Sequence, residues 1–267
     1  MTYPLTAIVS DLHANEPALD AVLADAHARA AQRYVCLGDV IGYGARPTHN
    51  LDSVMRLCVP EPHPPAGWGP LEGGLCLQGN HEFALLYEHG AEEFNPKARA
   101  AIDWTRRAIG AGEHAEAYWD FLGELEPSRT DEVAMFAHGS PRDPVREYIV
   151  PRDIQNTEKM AALFACMERP VCFVGHSHVP AVYYEDHRLF EPEGTVGPYE
   201  LGDVRAIVNV GSVGQPRDGD PRASYVLFDG RTITFVRVPY AIERAQASIR
   251  AVDALPGYLA DRLAVGR

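Results

Sequence analysis

Asp11 and His13 stand two apart at the end of an apolar run, and Asp39 follows Gly38 at the end of another. Asn80 and His81 follow Gly79, His138 precedes Gly139, and His176 and His178 flank Ser177 just after Gly175. Carboxylate oxygen, amide oxygen and imidazole nitrogen together suit borderline divalent ions such as Mn, Fe, Co, Ni and Zn. Calcium prefers an all-oxygen shell and is disfavoured. Taken singly, each residue is more simply a turn former or a surface group. Five polar clusters in succession, each closing a strand-like run, make a ligand set for two metal ions. The spacing of two at Asp11/His13 and at His176/His178 points both side chains the same way if the backbone is extended. A glycine beside each ligand is expected to let the chain turn sharply. The remaining histidines (His27, His49, His63, His89, His114, His187) lack this setting and read as surface or loop residues.

The elements that must position these groups follow from the apolar pattern. Runs at 5–10, 34–37, 75–78, 133–137 and 171–174 have strand length and composition, and each ends in polar residues. Between the first two, 16–31 reads as a helix, with Asn15 as its cap, Pro17 in its first turn and Leu19, Val22, Leu23, Ala26 and Ala30 on one face. Alternation of strand and helix predicts an α/β fold with ligands gathered at strand ends. Residues 61–70 (EPHPPAGWGP) form a loop. Residues 83–125 read as helical, with Asn95-Pro96 as a helix start and Ala98, Ala101, Ile102, Thr105 and Ile109 on one stripe. Strands at 207–210, 223–228 and 232–238 follow, the last two joined by an Asp229-Gly230 turn. A final helix over 241–254 presents Ile242, Ile249 and Val252 to a core. No internal repeat is visible, and the reading is a single domain over 1–267.

Length and composition agree with this. The 267 residues, 46% of them hydrophobic, can bury a sizeable core. A net charge of −13 argues against stable nucleic-acid binding or attraction to anionic membranes. It does not exclude a phosphate substrate, because bound cations reverse the field locally. Cys36, Cys58, Cys76, Cys166 and Cys172 lie in separate apolar runs without a CxxC pair, and read as reduced and buried in a cytoplasmic protein. The opening MTYPLTAIVSDLH has neither a basic segment nor a long apolar stretch, so neither a secretory signal nor a membrane span is expected.

The series Asp11-x-His13, Gly38-Asp39, Gly79-Asn80-His81-Glu82, His138 and Gly175-His176-Ser177-His178 resembles the calcineurin-like metallophosphoesterase signature in its usual order. Stretches 38–44 (GDVIGYG), 94–106 and 211–225 (GSVGQPRDGDPRASY) resemble the small bacterial YfcE-type phosphodiesterase branch. The resemblance implies a four-layer α/β/β/α sandwich of two mixed sheets, with 83–125 as a small helical cap-like segment. It also implies that Asp11, His13 and His178 hold one divalent ion, that Asn80, His138 and His176 hold the other, and that Asp39 bridges them. Manganese is the expected metal, with Fe, Ni, Co or Zn as alternatives. His81 falls where the family has its catalytic histidine, a candidate general acid opposite a metal-activated hydroxide.

One departure bears on substrate. Where protein phosphatases and dinucleoside tetraphosphatases of the superfamily resemble GDxVDRG, this chain has Gly42-Tyr43-Gly44. The arginine that would clamp a dianionic monoester is missing. The expectation is therefore a phosphodiesterase acting on small or nucleotide-like diesters. Alternatives are a phosphomonoesterase, a serine/threonine protein phosphatase-like activity, or a scaffold that kept the fold and lost the chemistry. Tyr43 is expected to face substrate. Arg217 is either a replacement charge for the substrate or a loop residue paired with Asp218 or Asp220. Trp104, Tyr118, Trp119 and Phe121 read as core before they read as stacking residues. Oligomeric state is not legible in the sequence.

Overall fold

The computed structural model describes residues 3–92 and 94–267. Met1, Thr2 and Glu93, which fall within the expected domain span and (for Glu93) the 83–125 segment, lie outside the described residues. Along the chain come β1 (Thr6–Val9), α1 (Glu16–Ala28), β2 (Arg33–Cys36), α2 (Pro47–Leu57), β3 (Leu75–Cys76) and α3 (Asn80–Leu86). Then follow α4 (Pro96–Gly110), α5 (Ala115–Gly123), β4 (Ser128–Thr130), β5 (Ala134–Ala137), α6 (Thr157–Ala165) and β6 (Val171–Val174). The remainder is β7 (Ala181–Tyr184), β8 (Leu189–Phe190), β9 (Val196–Glu200), β10 (Ala206–Asn209), β11 (Ala223–Phe228), β12 (Thr232–Val238), α7 (Ile242–Arg250) and α8 (Tyr258–Asp261).

The strands form two six-stranded mixed sheets, in the orders β3-β2-β1-β11-β12-β9 and β4-β5-β6-β10-β7-β8. Alternation decides the layers, because successive side chains on a strand face opposite ways. Ile8, Val35, Val226, Phe228 and Phe235 of the first sheet meet Phe136, Phe173, Val182 and Val208 of the second in one inter-sheet core. Their strand neighbours point outward. Ala7, Val9, Tyr34, Cys36 and Tyr225 pack under helices α1, α2, α4 and α5. Met135, Cys172, Val174 and Ile207 pack under α6 through Met160, Leu163 and Phe164. The result is the expected α/β/β/α sandwich.

Local signals also do what they are read to do. Asn15 Oδ1 accepts from Ala18 N–H, and Asn95 Oδ1 accepts from both Lys97 and Ala98 N–H above Pro96. The five residues of the α4 stripe are all buried. In the 83–125 segment, Tyr118 is buried and donates to Asp52, Trp119 and Phe121 pack on the outer core of the first sheet, and Trp104 packs on the C-terminal helices. These aromatics are core.

Several elements differ from expectation. β3 has two strand residues rather than four, and Leu77 makes only an isolated bridge to Glu126. Helices α2 and α6 and strands β4, β7, β8 and β9 were not anticipated. The terminal helix stops at Arg250, and α8 follows as a separate turn. All five cysteines are free, but only Cys36, Cys58 and Cys172 are buried as expected; Cys76 is half-buried, and Cys166, the cap residue at the end of α6, is exposed. Among the described residues, no helix is long and apolar enough to cross a membrane.

Phe173 lies at the centre of the inter-sheet layer, with ring centroids 5.8 Å from Phe136 and 4.9 Å from Phe228. Phe173→Ala should lower unfolding free energy by about 3–5 kcal/mol through lost burial and an unfilled cavity. A urea titration reads this as a reduced midpoint at unchanged slope; a loss below about 1 kcal/mol would mean the two sheets do not depend on this ring.

Candidate metal centre

Strands β1, β2 and β3 run parallel in one sheet, and β5, β6 and β10 run parallel in the other. Six carboxyl ends therefore open on one edge of the sandwich. Main-chain bonds lock the loops that leave them: Asp11 N–H to Gly38 O (3.0 Å), His13 N–H to Asp39 O (2.9 Å), Gly175 N–H to His138 O (2.9 Å) and Gly214 N–H to Asp11 O (2.9 Å). Across the sheets, His176 N–H donates to Asp11 Oδ2 at 3.0 Å.

The backbone here is not extended, as the spacing argument assumed. Among the described residues, nine non-glycine residues have positive φ, and seven of them are at this site: Asp11, His13, Ala14, Asp39, Tyr43, His176 and His178. Left-handed backbone in residues with a Cβ is strained, at a cost of order 1–3 kcal/mol each, and persists where the surroundings over-determine it. The candidate ligands make their own turns. At two neighbouring glycines the role is close approach instead. A Cβ at Gly79 would lie 2.2 Å from Asp39 Oδ1, and one at Gly175 would lie 2.0 Å from Ser10 Oγ and 2.6 Å from Asp11 Oδ2.

The side chains meet in two groups around one carboxylate. In the first, His178 Nε2 is 3.1 Å from Asp11 Oδ1 and 3.2 Å from His13 Nε2. In the second, His138 Nε2 is 3.1 Å from both His176 Nδ1 and Asn80 Oδ1. Asp39 Oδ2 stands between them, 3.4 Å from His138 Nε2 and 3.7 Å from His13 Nε2. His81 Nε2 also reaches this oxygen, at 3.9 Å, and His81 with His13 and Asp39 forms a third close grouping. Ligands bound at about 2.1 Å and at tetrahedral or octahedral angles stand roughly 3.0–3.4 Å apart. The short distances match that spacing.

The tautomers follow from the outer partners. A carbonyl can only accept, so His13 Nδ1 donates to Ile41 O (3.1 Å), His178 Nδ1 to Gln215 O (2.5 Å) and His176 Nε2 to Arg146 O (3.0 Å). The other nitrogen of each ring then turns a lone pair into the centre, the arrangement usual for metal-binding imidazoles. Asp11 Oδ1 is buried with no hydrogen-bond partner. Burial keeps these rings neutral: it pushes His138 down to about 4, and holds His13, His81, His176 and His178 below the usual imidazole range. For His81 and His178 the next cause is the positive charge of Arg217. Burial pushes the Asp39 carboxyl up, with Glu82 and Asp11 adding repulsion. Facing lone pairs and crowded carboxylates in a water-poor space are what divalent cations relieve. The donor set fits a dinuclear centre.

Tyr43 lies against the site, its ring centroid 4.7 Å from His13 and 4.5 Å from His81. Arg217 is not a paired loop residue. Asp218 pairs with Arg237, and Asp220 with Arg222 and Arg237. Arg217 instead donates from Nη2 to Gln215 Oε1 (2.9 Å) and sits 6.0 Å from the Tyr43 ring. Two aromatic residues at the site carry no local sequence signal: Tyr148 stacks on His176 at 3.6 Å, and Phe94 packs against His81 at 4.8 Å. With Asn80, Phe83 and Arg146 they line a cavity of about 100 Å³. Asn209 also escaped notice; its Nδ2 bonds Gly175 O (2.6 Å) and Ser177 Oγ (2.9 Å) and steadies the loop of His176 and His178.

With the geometry in hand, relatives are informative. Residues 5–232 match the model of the calcineurin-like phosphoesterase superfamily domain. An uncharacterized protein of Methanocaldococcus jannaschii is 33% identical over 270 residues, covering all of both chains. A crystal structure described as a metallophosphoesterase from Sphaerobacter thermophilus is 35% identical, with a TM-score of 0.79 over 99% of this chain and 100% of that one. A hypothetical protein from Pyrococcus horikoshii, 18% identical, shares the fold with a TM-score of 0.77 over 98% of each chain.

Glu82, read from sequence only as a point of likeness, ties together two loops, those after β2 and β3. Its carboxylate accepts from Asp39 N–H (2.8 Å), Gly79 N–H (2.9 Å) and Ile41 N–H (3.2 Å). A signal was available: Glu82 occupies the third position of α3, where an acid reaches back to the cap residue. Burial pushes its carboxyl up to about 7, against the three N–H groups that favour the charged form. Glu82→Ala leaves those donors buried and unpaired, at about 1–3 kcal/mol each. The variant should melt well below the parent and lose bound metal, measured by calorimetry and elemental analysis; parent-like values in both would show that the loops hold without it.

Proposed function

This chain belongs to the calcineurin-like phosphoesterase superfamily, and on that premise we propose that it is a metal-dependent phosphodiesterase acting on small or nucleotide-like diesters. The observation that carries the reading is the pair of donor groups, Asp11–His13–His178 and Asp39–His138–His176, meeting around Asp39. In this reading Asp11, His13 and His178 hold one cation, Asn80, His138 and His176 hold the second, and Asp39 serves both. Two divalent cations, manganese in the first instance, supply Lewis-acid activation of water and of the phosphate oxygens when bound. The mixed oxygen and nitrogen donors support that class of metal.

The chain's own groups account for the rest. His81 keeps Nε2 toward the centre, where its imidazolium form would deliver the proton to the departing oxygen. Phe94, Phe83 and Tyr148 wall the adjoining cavity and offer ring faces to a flat leaving group, which supports a nucleotide-like substrate. Gly42-Tyr43-Gly44 replaces the clamp that a dianionic monoester would use, which supports a monoanionic diester. Placement near the YfcE-type branch rests on the stretches 38–44, 94–106 and 211–225 alone. We take 1–267 as one domain with 83–125 as its cap-like segment, working in the cytoplasm, where its five free cysteines stay reduced.

Two measurements bear on this. Manganese-loaded protein should cleave bis(p-nitrophenyl) phosphate faster than p-nitrophenyl phosphate; faster monoester cleavage would overturn the diester preference. His81→Asn should lower kcat by about 10²–10⁴-fold with little change in metal content, since a proton donor contributes on that scale. Unchanged turnover would remove His81 from the chemistry, and loss of one metal equivalent would make it a ligand instead.

A further inference from the structure

The ring assigned above to proton delivery has no hydrogen bond to hold it. His13, His176 and His178 each donate from the outer nitrogen to a carbonyl. His81 is 2% exposed, yet its Nδ1 has no hydrogen-bond partner among the described residues. On the inner side, Nε2 lies 3.9 Å from Asp39 Oδ2, beyond hydrogen-bond length. His81 N–H donates to Asp39 Oδ1 at 2.9 Å, which fixes the main chain but not the torsion of the ring. That torsion is broad and roughly two-fold in histidine, so nothing intrinsic selects the nitrogen that faces the centre.

Packing selects it. Gly42 has φ +88°, and a Cβ there would lie 2.1 Å from His81 Nδ1, so bare backbone closes that edge of the ring. Tyr43 and His13 stand edge-on, with ring centroids 4.5 and 4.8 Å away at 67° and 69°. Phe94 is the third ring, at 4.8 Å and 54°. Such tilted contacts are a favoured geometry for aromatic pairs. His13, Gly42 and Tyr43 belong to the loops after β1 and β2, which are locked together by His13 N–H to Asp39 O (2.9 Å) and Gly44 N–H to His13 O (3.0 Å). Phe94 comes from the connection between α3 and α4, where its N–H donates to Ala91 O (3.2 Å) and Asn95 caps α4. It also lines the cavity of about 100 Å³ with Asn80, Tyr148 and His176. Phe94 thus borders both the acid and the space for the leaving group.

We propose that Phe94 is a positioning residue, which holds the His81 imidazole with Nε2 toward the centre in place of a hydrogen bond at Nδ1. The inference rests on the phosphoesterase reading and deepens it: the segment before α4 sets how well the leaving oxygen is protonated. As the bond from phosphorus to that oxygen breaks, and a water oxygen takes its place, the Nε2 proton passes to the leaving oxygen and the ring becomes neutral. Loss of alignment at this step costs rate without costing binding.

Two diesters with the same leaving ring but different basicity test this: methyl p-nitrophenyl phosphate and methyl phenyl phosphate, cleaved by manganese-loaded protein. Phenolate is the more basic leaving group and depends more on the acid, whereas stacking of the ring is matched. Phe94→Ala should lower kcat by about tenfold or more for the phenyl ester and by about threefold or less for the nitrophenyl ester, at unchanged metal content. In a His81→Asn background the same change should cost neither ester more than about twofold, because no acid remains to be placed. Phe94→Tyr, which keeps a ring, should lie nearer the parent than Phe94→Leu. Equal losses on both esters, or an undiminished loss in the His81→Asn background, overturn the proposal. If Phe94→Ala does not fold by circular dichroism, Phe94→Leu takes its place under the same criteria. A readout without turnover uses zinc-loaded protein with histidine labelled with ¹³C at Cε1. The His81 signal, identified by its absence from His81→Asn, should be single and sharp in the parent and doubled or exchange-broadened in Phe94→Leu, with the other site histidines sharp. A single sharp His81 signal in Phe94→Leu is equally fatal. A parent that cleaves neither ester would defeat the phosphoesterase reading separately, and the signal then decides the placement of the ring by itself.

Discussion

Lone pairs and carboxylates facing one another in a space closed to water are the constraint on which this fold turns. Asp11, Asp39, His13, His138 and His178 are almost wholly buried, and their donor atoms approach to between 3.1 and 3.9 Å. Burial keeps the rings neutral, and the outer nitrogens of His13, His176 and His178 already donate to carbonyls, so their inner lone pairs stay turned on one another and on the carboxylates. Removing polar atoms from water without compensation costs several kcal/mol apiece on the harsher scales. Cations bound at the centre convert that cost into coordination, which is why metal occupancy and the local fold are one equilibrium.

The two sheets supply the rigidity this requires. Parallel pairing of β1 with β2 and of β6 with β10 brings ends that are remote in sequence to one edge. The inter-sheet aromatic layer then fixes the two edges against each other. Left-handed backbone at Asp11, His13, Asp39, His176 and His178 is affordable only on such a base. Glu82 and Asn209 extend the rigidity outward by occupying main-chain donors and carbonyls that water would otherwise reach.

How much of this was legible follows the range of each interaction. Asp11, Asp39, Asn80, His138 and His176 could be read because each stands beside its own strand end, a local pattern. The helix caps at Asn15 and Asn95 were legible for the same reason. The left-handed turns were not, since aspartate and histidine carry no marker for them, and the spacing of two suggested extended backbone instead. β9 (VGPYE) shows no alternation of buried and exposed residues and contains a proline, so an edge strand there has little signature. Tyr148 and Phe94 reach the site only through folding of long connections. Asp218 and Asp220 flank Arg217 closely, yet Arg237, from β12, takes the first and Arg222 the second. Partner choice of that kind depends on the assembled sheet.

The fate of Arg217 also bears on how a shared centre acquires a particular substrate. The ligand loops are so constrained by strain and close approach that little at Asp39 or His176 can vary without losing the metals. Positive charge for the substrate must therefore come from segments that are free to differ. In this chain the loop after Asp39 offers Gly42-Tyr43-Gly44, with Arg46 beyond it paired to Glu16, while Arg217 arrives from the loop after β10. That arginine already depresses His81 and His178, so the positive potential at the centre has a protein component as well as a metallic one. On the phosphodiesterase reading proposed above, Arg217, 6.0 Å from the Tyr43 ring that packs on His81, supplies that charge at the periphery of the ester. Chemistry and selectivity then reside in different parts of the chain, the first on strained strand ends and the second on loops that the sheets leave free.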